Sequence, residues 1–400
     1  MALDGAMLYL LRHEIEQIAV GAKIDKISQP GKDEIILGFR GKAFSQKLLI
    51  SVGANSARLH FTGSAPENPA SPPMFCMLLR KHFTGAKLLG IRQQGMDRIV
   101  YLDFETTSEL GDKIILTLAV EIMGRHSNIV IVNAENKIVD SIKRIYPEMS
   151  AVRQILPGLS YTLPPAPEKL RLDKDSAEEI VSRVRQGKDA ELSKALLNQI
   201  EGLSPVVCRE IAFYASFGKE ITISGLTKDY EDRLLFSLKK LIAVIRDKSP
   251  SPVMVCDSGG KPKDISFINI RQYGHTMPVK PFESFSDLLD VFYSDRDTAE
   301  RMKQKSHDLL KFLVNTSERI SRKIAAQKEE LLQCDKRGNY KIYGDIISAN
   351  LYSLQKGMGT ARLVNFYEES MPEVEIPLNP QKTHLVFQTI IFKISIIWKV

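Results

Sequence analysis

The sequence predicts an α+β protein in which a strand-rich N-terminal domain is followed by helical domains. Short β-branched segments separated by Gly, Asn or Lys turns fill much of residues 24–142, a pattern typical of antiparallel strands. Helical periodicity takes over from residue 174 and ends in a long heptad repeat. A chain of 400 residues is also too long for one ordinary core, so about two to four domains are expected.

The N-terminal domain, residues 1–172, is predicted to be a β-sandwich with helices. Asp4 is the expected N-cap of a helix over 4–19, and Pro73 suits the first turn of a second helix over 72–83. The predicted strands are 24–29, 34–39, 47–52, 57–61, 87–93, 98–104, 113–122, 128–132 and 137–142. Because the strands form two halves around a single internal helix, a sandwich-like α+β domain is expected.

A second, helical domain is predicted for residues 173–280, because a Pro-rich stretch at 157–167 favours a boundary near residue 172. Within it, residues 196–213 have the pattern of a helix-hairpin-helix, whose turn can offer backbone N–H groups to a phosphate. Ser204 stands where such a turn has its second Gly, so a plain αα-corner without a ligand explains the pattern equally well. The other elements predicted here are helices within 174–217 and at 229–246, and strands at 252–256 and 264–270.

Residues 281–380 are predicted to form a truncated coiled-coil arm. On a helix that starts at Phe285, core positions from Met302 to Cys334 are spaced three and four residues apart, a heptad seam with one stutter. A single helix cannot bury such a seam, and no return helix follows in the sequence. The remaining predictions are a break bracketed by Gly338 and Gly344, a short helix at 345–356, and a hairpin of 361–366 with 373–377.

The tail, residues 381–400, is unusually apolar and unlike the region before it. We expect a truncated or frame-shifted C-terminus, and the alternative is a genuine final strand, which would be prone to aggregation if exposed. The apolar run from Leu385 is too short to span a bilayer and is interrupted by Lys393, so no membrane association is expected.

Charge and cysteine usage indicate a cytoplasmic protein with a weak preference for polyanionic partners. Lys and Arg number 55 against 48 Asp and Glu, a net charge of +7. The four cysteines lie far apart in the sequence without a C-x-x-C pair, as expected for reduced thiols. The N-terminus lacks the basic, apolar and cleavage regions of a signal peptide and has the pattern of an amphipathic helix.

No sequence motif indicates catalysis. The chain lacks G-x-x-x-x-G-K-[ST], H-E-x-x-H and G-x-S-x-G, and it has no G-x-G-x-x-G after a predicted strand. Its seven histidines are not spaced as metal ligands. We therefore expect no catalytic residue, no cofactor and no metal.

Three basic clusters are candidates for binding an anion. Residues 80–82 (RKH) end a predicted helix, where cations complement the helix dipole. Asp97 and Arg98 lie in a GMDR turn before a strand; an Arg fork can hold a phosphate or a guanine edge, although most such pairs are solvated surface. Residues 124–128 (GRHSN) form either a simple hairpin loop or a turn rich in donors for phosphate and sugar.

Several of these segments together resemble one family. The opening MALDGAMLYLLRHEI with AKIDKISQP, the PPMFCMLLRKH helix, the GMDR turn and EIMGRHSNIVIV occur in the order found in the bacterial fibronectin-binding protein A family. Its members are ribosome quality-control factors called RqcH, related to the eukaryotic nuclear export mediator factor. The resemblance continues through IEGLSP and the charged arm to about residue 380.

The resemblance implies a domain order and a fold. An N-terminal domain similar in fold to formamidopyrimidine-DNA glycosylases is followed by a helix-hairpin-helix domain, a coiled-coil middle domain and a C-terminal RNA-binding domain. By this order, the chain ends before the last domain, within the arm.

The resemblance also implies a function. Family members bind a large ribosomal subunit that carries a stalled peptidyl-tRNA, recruit alanyl-tRNA and direct untemplated alanine tailing of the nascent chain. Asp97 and Arg98 match the pair that contacts tRNA, and Glu121 and Ile122 match positions implicated in ribosome association. We predict that Arg125 and His126, in the adjoining polar turn, belong to the same ribosome-facing surface, with Glu121 contacting ribosomal protein or bracing Arg125.

Two alternatives belong to other functional classes. A surface adhesin that binds fibronectin is opposed by the missing signal peptide, anchor and disulfides. A DNA glycosylase is opposed by Ala2, which stands where those enzymes have a nucleophilic N-terminal proline, and by the lack of zinc-finger cysteines. The leading prediction is therefore a non-catalytic RNA-binding factor.

Overall fold

The computed structural model describes residues 3–41, 44–64, 66–274, 276–335 and 337–381. Two compact units divide the chain, Met1–Met302 and Lys303–Val400. All of the predicted atypical tail except residue 381 lies outside the described residues. No helix in the described part of the chain is both long and apolar enough to cross a membrane.

The first unit is built on a nine-stranded antiparallel sheet, which confirms the strand-rich N-terminal prediction. Its strands in chain order, β1 to β9, are Lys23–Gly31, Glu34–Arg40, Ser45–Ser51, Arg58–Phe61, Lys87–Gln93, Ile99–Thr107, Lys113–Glu121, Asn128–Asn133 and Ile138–Ser141. The spatial order is β4-β3-β2-β1-β5-β6-β7-β8-β9. The β1–β5 junction is short, and in it Lys23 lies opposite Lys87.

The sheet folds over at this junction, so that its two halves face each other as in a sandwich. Three strand spacings of about 4.8 Å separate β2 from β6, about 14 Å in a flat sheet. Yet the rings of Phe39 on β2 and Phe104 on β6 are stacked with centroids 6.4 Å apart. The ring of Phe83 meets Phe104 edge-on at 5.2 Å. These rings place apolar core between the two halves.

Two helices complete this part of the unit, α1 (Gly5–Ala19) and α2 (Met74–Phe83). Asp4 is the N-cap of α1, because its side chain accepts a hydrogen bond from Met7 N–H, as predicted from the sequence. Pro73 lies one position earlier than expected, at the N-cap of α2.

The helical part that follows contains α3 (Ala177–Arg185), α4 (Leu192–Gln199), α5 (Pro205–Ser216) and α6 (Lys228–Asp247). A capping box between Ser176 and Glu179 starts α3. A small antiparallel sheet comes next in the chain, with β10 (Val253–Cys256) between β11 (Pro262–Ser266) and β12 (Val279–Pro281). The sequence did not predict β12.

One buried apolar cluster extends through the whole first unit. It includes Leu8 of α1, Leu196 of α4, Leu238 of α6 and Phe285, the first residue of the long helix. The predicted domain boundaries at 172, 280 and 380 therefore stay predictions.

The long helix α7 (Phe285–Asp335) confirms the predicted helix and crosses from the first unit into the second. In the second unit its predicted seam residues Leu309, Leu313 and Ile320 are exposed. The hairpin prediction is also confirmed, by β13 (Thr360–Val364) and β14 (Glu373–Pro377).

The predicted break at Gly338 and Gly344 is wrong, because both glycines lie inside α8 (Arg337–Ala349). The helix predicted over 345–356 is confirmed only for residues 345–349, which end α8, and it is followed by a 3₁₀ turn, Leu351–Ser353. A glycine costs a helix only about 1 kcal/mol, which the burial of Ile346 and Ile347 in the small core of this unit offsets.

Candidate nucleic-acid interface

The structure brings the predicted site residues together at one end of the large sheet. Asp97 and Arg98 directly precede β6, whose first residue, Ile99, lies opposite Glu121 at the end of β7. The N–H of Ile122 donates to the carbonyl of Arg98 at 2.8 Å. The predicted tRNA-contacting pair and the predicted ribosome-associated pair are therefore neighbours on adjacent strands.

The GMDR turn is held by its own backbone and by α1. Asp97 N–H donates to the Gln94 carbonyl at 2.9 Å, and the Asp97 carboxylate accepts from Arg98 N–H at 2.7 Å. The side-chain amide of Gln93 donates to the carbonyls of Asp97 and Gly5, at 2.8 and 2.9 Å. Asp97 and Arg98 are both half-buried, and the conformation of their turn is fixed.

Two glycines allow the turn between α4 and α5 to pack directly on α1 and on the GMDR turn. A methyl group on Gly5 would lie 1.7 Å from the Met96 carbonyl oxygen. One on Gly202, whose φ is +77°, would lie 2.5 Å from the same oxygen. Ala6 N–H donates to the Gly202 carbonyl at 2.9 Å. Three backbone segments that are distant in the sequence therefore meet at one junction.

A cavity of about 340 Å³ opens at this junction. That volume is at the lower end of the ~300–1,000 Å³ typical of ligand pockets. Its charged lining consists of Asp4, Asp97, Arg98, Lys169 and Glu201. The cavity therefore combines two cations with three carboxylates, a set that can meet both a phosphate and the donor groups of a base.

The Asp4 carboxylate already occupies an N–H group of the hairpin turn. One of its oxygens accepts from Met7 N–H at 2.7 Å, and the other accepts from Ser204 N–H at 3.2 Å. Burial raises the pKa of Asp4, although hydrogen bonds from Ser204 and Met7 oppose the shift. An ionised Asp4 would repel a phosphate at this turn, so the contact favours the αα-corner over a phosphate-binding hairpin.

Burial also raises the pKa of Glu201, another carboxyl group that lines the cavity. The guanidinium of Arg171 opposes this shift, and the carboxylate of Asp97 adds to it. The negative charges of Asp97 and Glu201 therefore disfavour each other.

Glu121 and Ile122 are buried, with only 1% of Glu121 exposed. The Glu121 carboxylate accepts two hydrogen bonds from the Arg153 guanidinium, at 2.6 and 2.9 Å, and one from the Tyr161 hydroxyl at 2.8 Å. The expectation that Glu121 braces Arg125 is replaced by this pairing with Arg153. Neither Glu121 nor Ile122 can touch a partner directly in this conformation.

Arg125 and His126 are exposed on a 3₁₀ turn, Gly124–His126, between β7 and β8. Arg125 Nε donates to His126 Nε2 at 2.9 Å. The Ser127 hydroxyl accepts from Met123 N–H at 2.8 Å and closes the turn. The polar turn thus presents a cation at the same end of the sheet as Asp97 and Arg98.

The third basic cluster, residues 80–82, lies in the last turn of α2, where cations complement the helix dipole. Arg80 Nε donates to the carbonyl of Ile27 at 2.9 Å, and Lys81 pairs with Glu109. These contacts match the structural interpretation of that cluster.

Sequence reasoning missed Arg153, Tyr161 and the second contact of Asp4. No local signal marks them, because Arg153 lies 32 residues and Tyr161 lies 40 residues from Glu121. Among the described residues, no group of three or more His, Cys, Asp or Glu is arranged to hold a metal.

Comparison with known proteins decides the family. The model of the NFACT N-terminal and middle domains matches residues 4–385. The chain belongs to the NFACT family. Among its NFACT relatives, the Rqc2 homolog RqcH of Bacillus subtilis is 34% identical over 391 residues, which are 96% of this chain and 65% of that protein. The chain thus spans slightly less than two thirds of the length of this relative.

Two solved structures resemble the first part of this NFACT chain. The N-terminal part of the fibronectin/fibrinogen-binding protein of Streptococcus suis is 32% identical with a TM-score of 0.61, over 74% of this chain and all of that one. The fibrinogen binding protein of Staphylococcus aureus is 30% identical with a TM-score of 0.60, over 73% and 99% of the two chains.

Proposed function

We propose that this chain acts in ribosome quality control, as an RNA-binding factor that contacts tRNA and the large ribosomal subunit. Membership of the NFACT family and the similarity to RqcH support this assignment. The observation that carries it is the convergence of Asp97, Arg98, Arg125 and His126 at one end of the sheet. A single surface can then meet both RNA partners.

In this proposal Arg98 contacts tRNA and Asp97 positions it. The Asp97 carboxylate accepts the N–H of Arg98, so it fixes the turn that carries the guanidinium. Guanidinium groups bind phosphates and guanine edges through paired donors. The cavity beside Arg98 adds Lys169 as a second cation and Glu201 as an acceptor.

Alanine tailing needs no catalytic residue from this chain in our proposal. The ribosome catalyses peptidyl transfer, and the chain recruits and holds a tRNA. Alanyl-tRNA is the tRNA that we propose as its partner. We place this work in the cytoplasm, where ribosomes translate.

A salt series on binding to isolated large subunits tests the ribosomal contact. Each phosphate that the protein neutralises releases counterions. The logarithm of the binding constant therefore falls linearly with the logarithm of the salt concentration, with a slope of roughly 0.7–0.9 per phosphate. Arg125→Ala should therefore weaken binding and make the slope shallower by about that amount. Lys113→Ala is the matched control, because Lys113 is exposed at the opposite end of β7. Wild-type affinity and slope for Arg125→Ala would contradict the proposal.

Adhesion is the second candidate, favoured by the names of the two similar structures. Under it, the chain would bind immobilised fibronectin or fibrinogen. Measuring that binding beside the large-subunit titration separates the two functions, because tight binding to fibronectin with none to subunits would favour the adhesin.

A further inference from the structure

Residues 143–162 form a strap that lies on the outer face of the sheet. Side chains of β7 and β8 alternate between two faces. Leu118 and Ile131 lie in the main core, whereas Ala119 and Val130 belong to a separate cluster with Ile155 and Tyr161 of the strap. This second cluster is the apolar contact that holds the strap to the sheet.

Backbone hydrogen bonds join the two arms of the strap and hold its C-terminal end to the sheet. Ile145 and Ile155 pair with each other across the strap, at 3.0 and 3.1 Å. Ile138 N–H donates to the Leu159 carbonyl at 2.8 Å, and Tyr161 N–H donates to the Asn136 carbonyl at 2.9 Å. The strap is therefore a structured loop bound to β9 and to the turn before it.

Glu121, Arg153 and Tyr161 form a buried latch between the strap and the end of β7. Besides its two bonds to Glu121, Arg153 donates through Nε to the Thr162 carbonyl at 2.7 Å, and its guanidinium lies 5.2 Å from the centre of the Tyr161 ring. Burial raises the pKa of Tyr161, and the Glu121 carboxylate adds to the shift, so the phenol stays a donor. Removing the Glu121 carboxylate would leave Arg153 without its counter-ion.

The tip of the strap exposes three large apolar side chains and the carboxylate of Glu148. Tyr146, Met149 and Val152 are 45%, 69% and 76% exposed on a turn closed by Met149 N–H donating to the Tyr146 carbonyl at 3.0 Å. Clustered exposed apolar side chains of this kind often mark contact surfaces.

Every basic residue of the strap is paired within the chain. Lys143 Nζ lies 3.5 Å from Asp33, and Arg144 makes a two-pronged pair with Asp140 at 2.9 and 3.0 Å. Arg153 is held by Glu121. The strap therefore offers exposed apolar side chains and the Glu148 carboxylate, while its cations are already paired with carboxylates, which suits an apolar protein surface better than a phosphate backbone.

We infer that the Glu121–Arg153–Tyr161 latch positions the strap and that its tip, Tyr146, Met149 and Val152, contacts an apolar protein surface on the large ribosomal subunit. The inference rests on the proposed ribosome association. Arg153 and Tyr161 are positioning residues in it, and Glu121 affects binding through them without contacting the partner. The Arg125 turn supplies the salt-dependent contact and the strap supplies a salt-independent one.

Hydrogen exchange tests the latch without any ribosome. Glu121→Gln and Arg153→Ala should speed amide exchange in residues 143–162 by tenfold or more, while exchange in α5 and α6 stays as in wild type. The conservative Arg153→Lys should restore part of the protection. Unchanged exchange in the strap would overturn the latch whether or not the chain binds ribosomes.

Large-subunit binding tests the tip. Met149→Ser with Val152→Ser should reduce affinity about tenfold or more with no change in salt slope, and adding Glu121→Gln should reduce it little further, since both act on one contact. Leu110→Ser is the control, because Leu110 is 91% exposed on the turn at the opposite end of β6 and β7. Wild-type affinity for the tip variant would overturn the inference, and so would a shallower salt slope, which would indicate RNA. Failure of the wild-type chain to bind subunits at any salt would instead reject the proposed function.

Discussion

Asp4 shows how one carboxylate can connect two distant helix N-termini. It caps α1 through Met7 N–H and accepts the N–H of Ser204, the residue that precedes α5. A carboxylate near a helix N-terminus is favourable, but burial removes it from water. The raised pKa of Asp4 shows that burial outweighs the hydrogen bonds.

The raised pKa sets the sign of a pH dependence. A carboxyl group whose folded pKa lies above its unfolded value of about 3.8 stabilises the fold relatively at low pH, and this contribution is lost as pH rises through the folded pKa. Asp4→Asn has no such titration. The free energy of unfolding of Asp4→Asn, relative to wild type, should therefore increase as pH rises from about 3 to 7.

Urea denaturation at several pH values measures this trend. Loss of the acceptor for Ser204 N–H gives Asp4→Asn an offset that does not vary with pH, so only the trend is diagnostic. A relative stability that falls with rising pH would mean that the pKa of Asp4 is lowered.

At the scale of elements, Gly5 and Gly202 allow three segments to meet because neither residue has a side chain. The segments are α1, the GMDR turn and the α4–α5 turn. The obstacle to a methyl group at Gly5 is the Met96 carbonyl, which is backbone and cannot rotate away. The position of the cavity beside Arg98 therefore depends on this close packing.

Gly5→Ala should destabilise the chain by about 3 kcal/mol or more, at the upper end of the cost of overpacking, because whole segments must separate. Gly90→Ala is the control, since a methyl group there meets nothing within 4 Å. Its effect should stay within about 0.5 kcal/mol. Equal unfolding midpoints for the two variants in urea would show that the junction is loose.

Elements with local signals could be predicted from the sequence, whereas contacts between distant segments could not. The N-cap at Asp4, the helix starting at Phe285 and the short alternating strands all follow from residues within a few positions of each other. The strand Val279–Pro281 has three residues and a proline, so its pairing with β10 depends on the tertiary context.

The candidate site divides in the same way. The exposed turn that carries Arg125 follows from local polarity between two apolar strands. The burial of Glu121 does not, because Arg153 and Tyr161 approach it from a strap that crosses the sheet much later in the chain. Pairing across strands also explains why Arg98 and Ile122 are neighbours.

At the scale of the molecule, one end of the folded sheet carries every contact that we propose with RNA. Asp97 and Arg98 lie beside the α4–α5 turn, and Arg125 and His126 lie on the next connection along the sheet. Both are held by rigid strands, which suits a surface that must orient a tRNA on a ribosomal subunit.

The RNA that co-purifies with the chain at low salt tests the central claim most directly. Sequencing should show enriched tRNA with the wild type and loss of that tRNA with Asp97→Ala plus Arg98→Ala. The variant should still fold: it loses the hydrogen bond from Arg98 N–H to the Asp97 carboxylate, worth about 0.5–1.5 kcal/mol, but keeps the one from Gln93 to the Asp97 carbonyl. Arg92→Ala plus Asp103→Ala is the matched control, because this paired Arg and Asp lie on β5 and β6 away from the cavity lining. No enriched tRNA with the wild type, or the same tRNA with the Asp97 and Arg98 variant, would contradict the account.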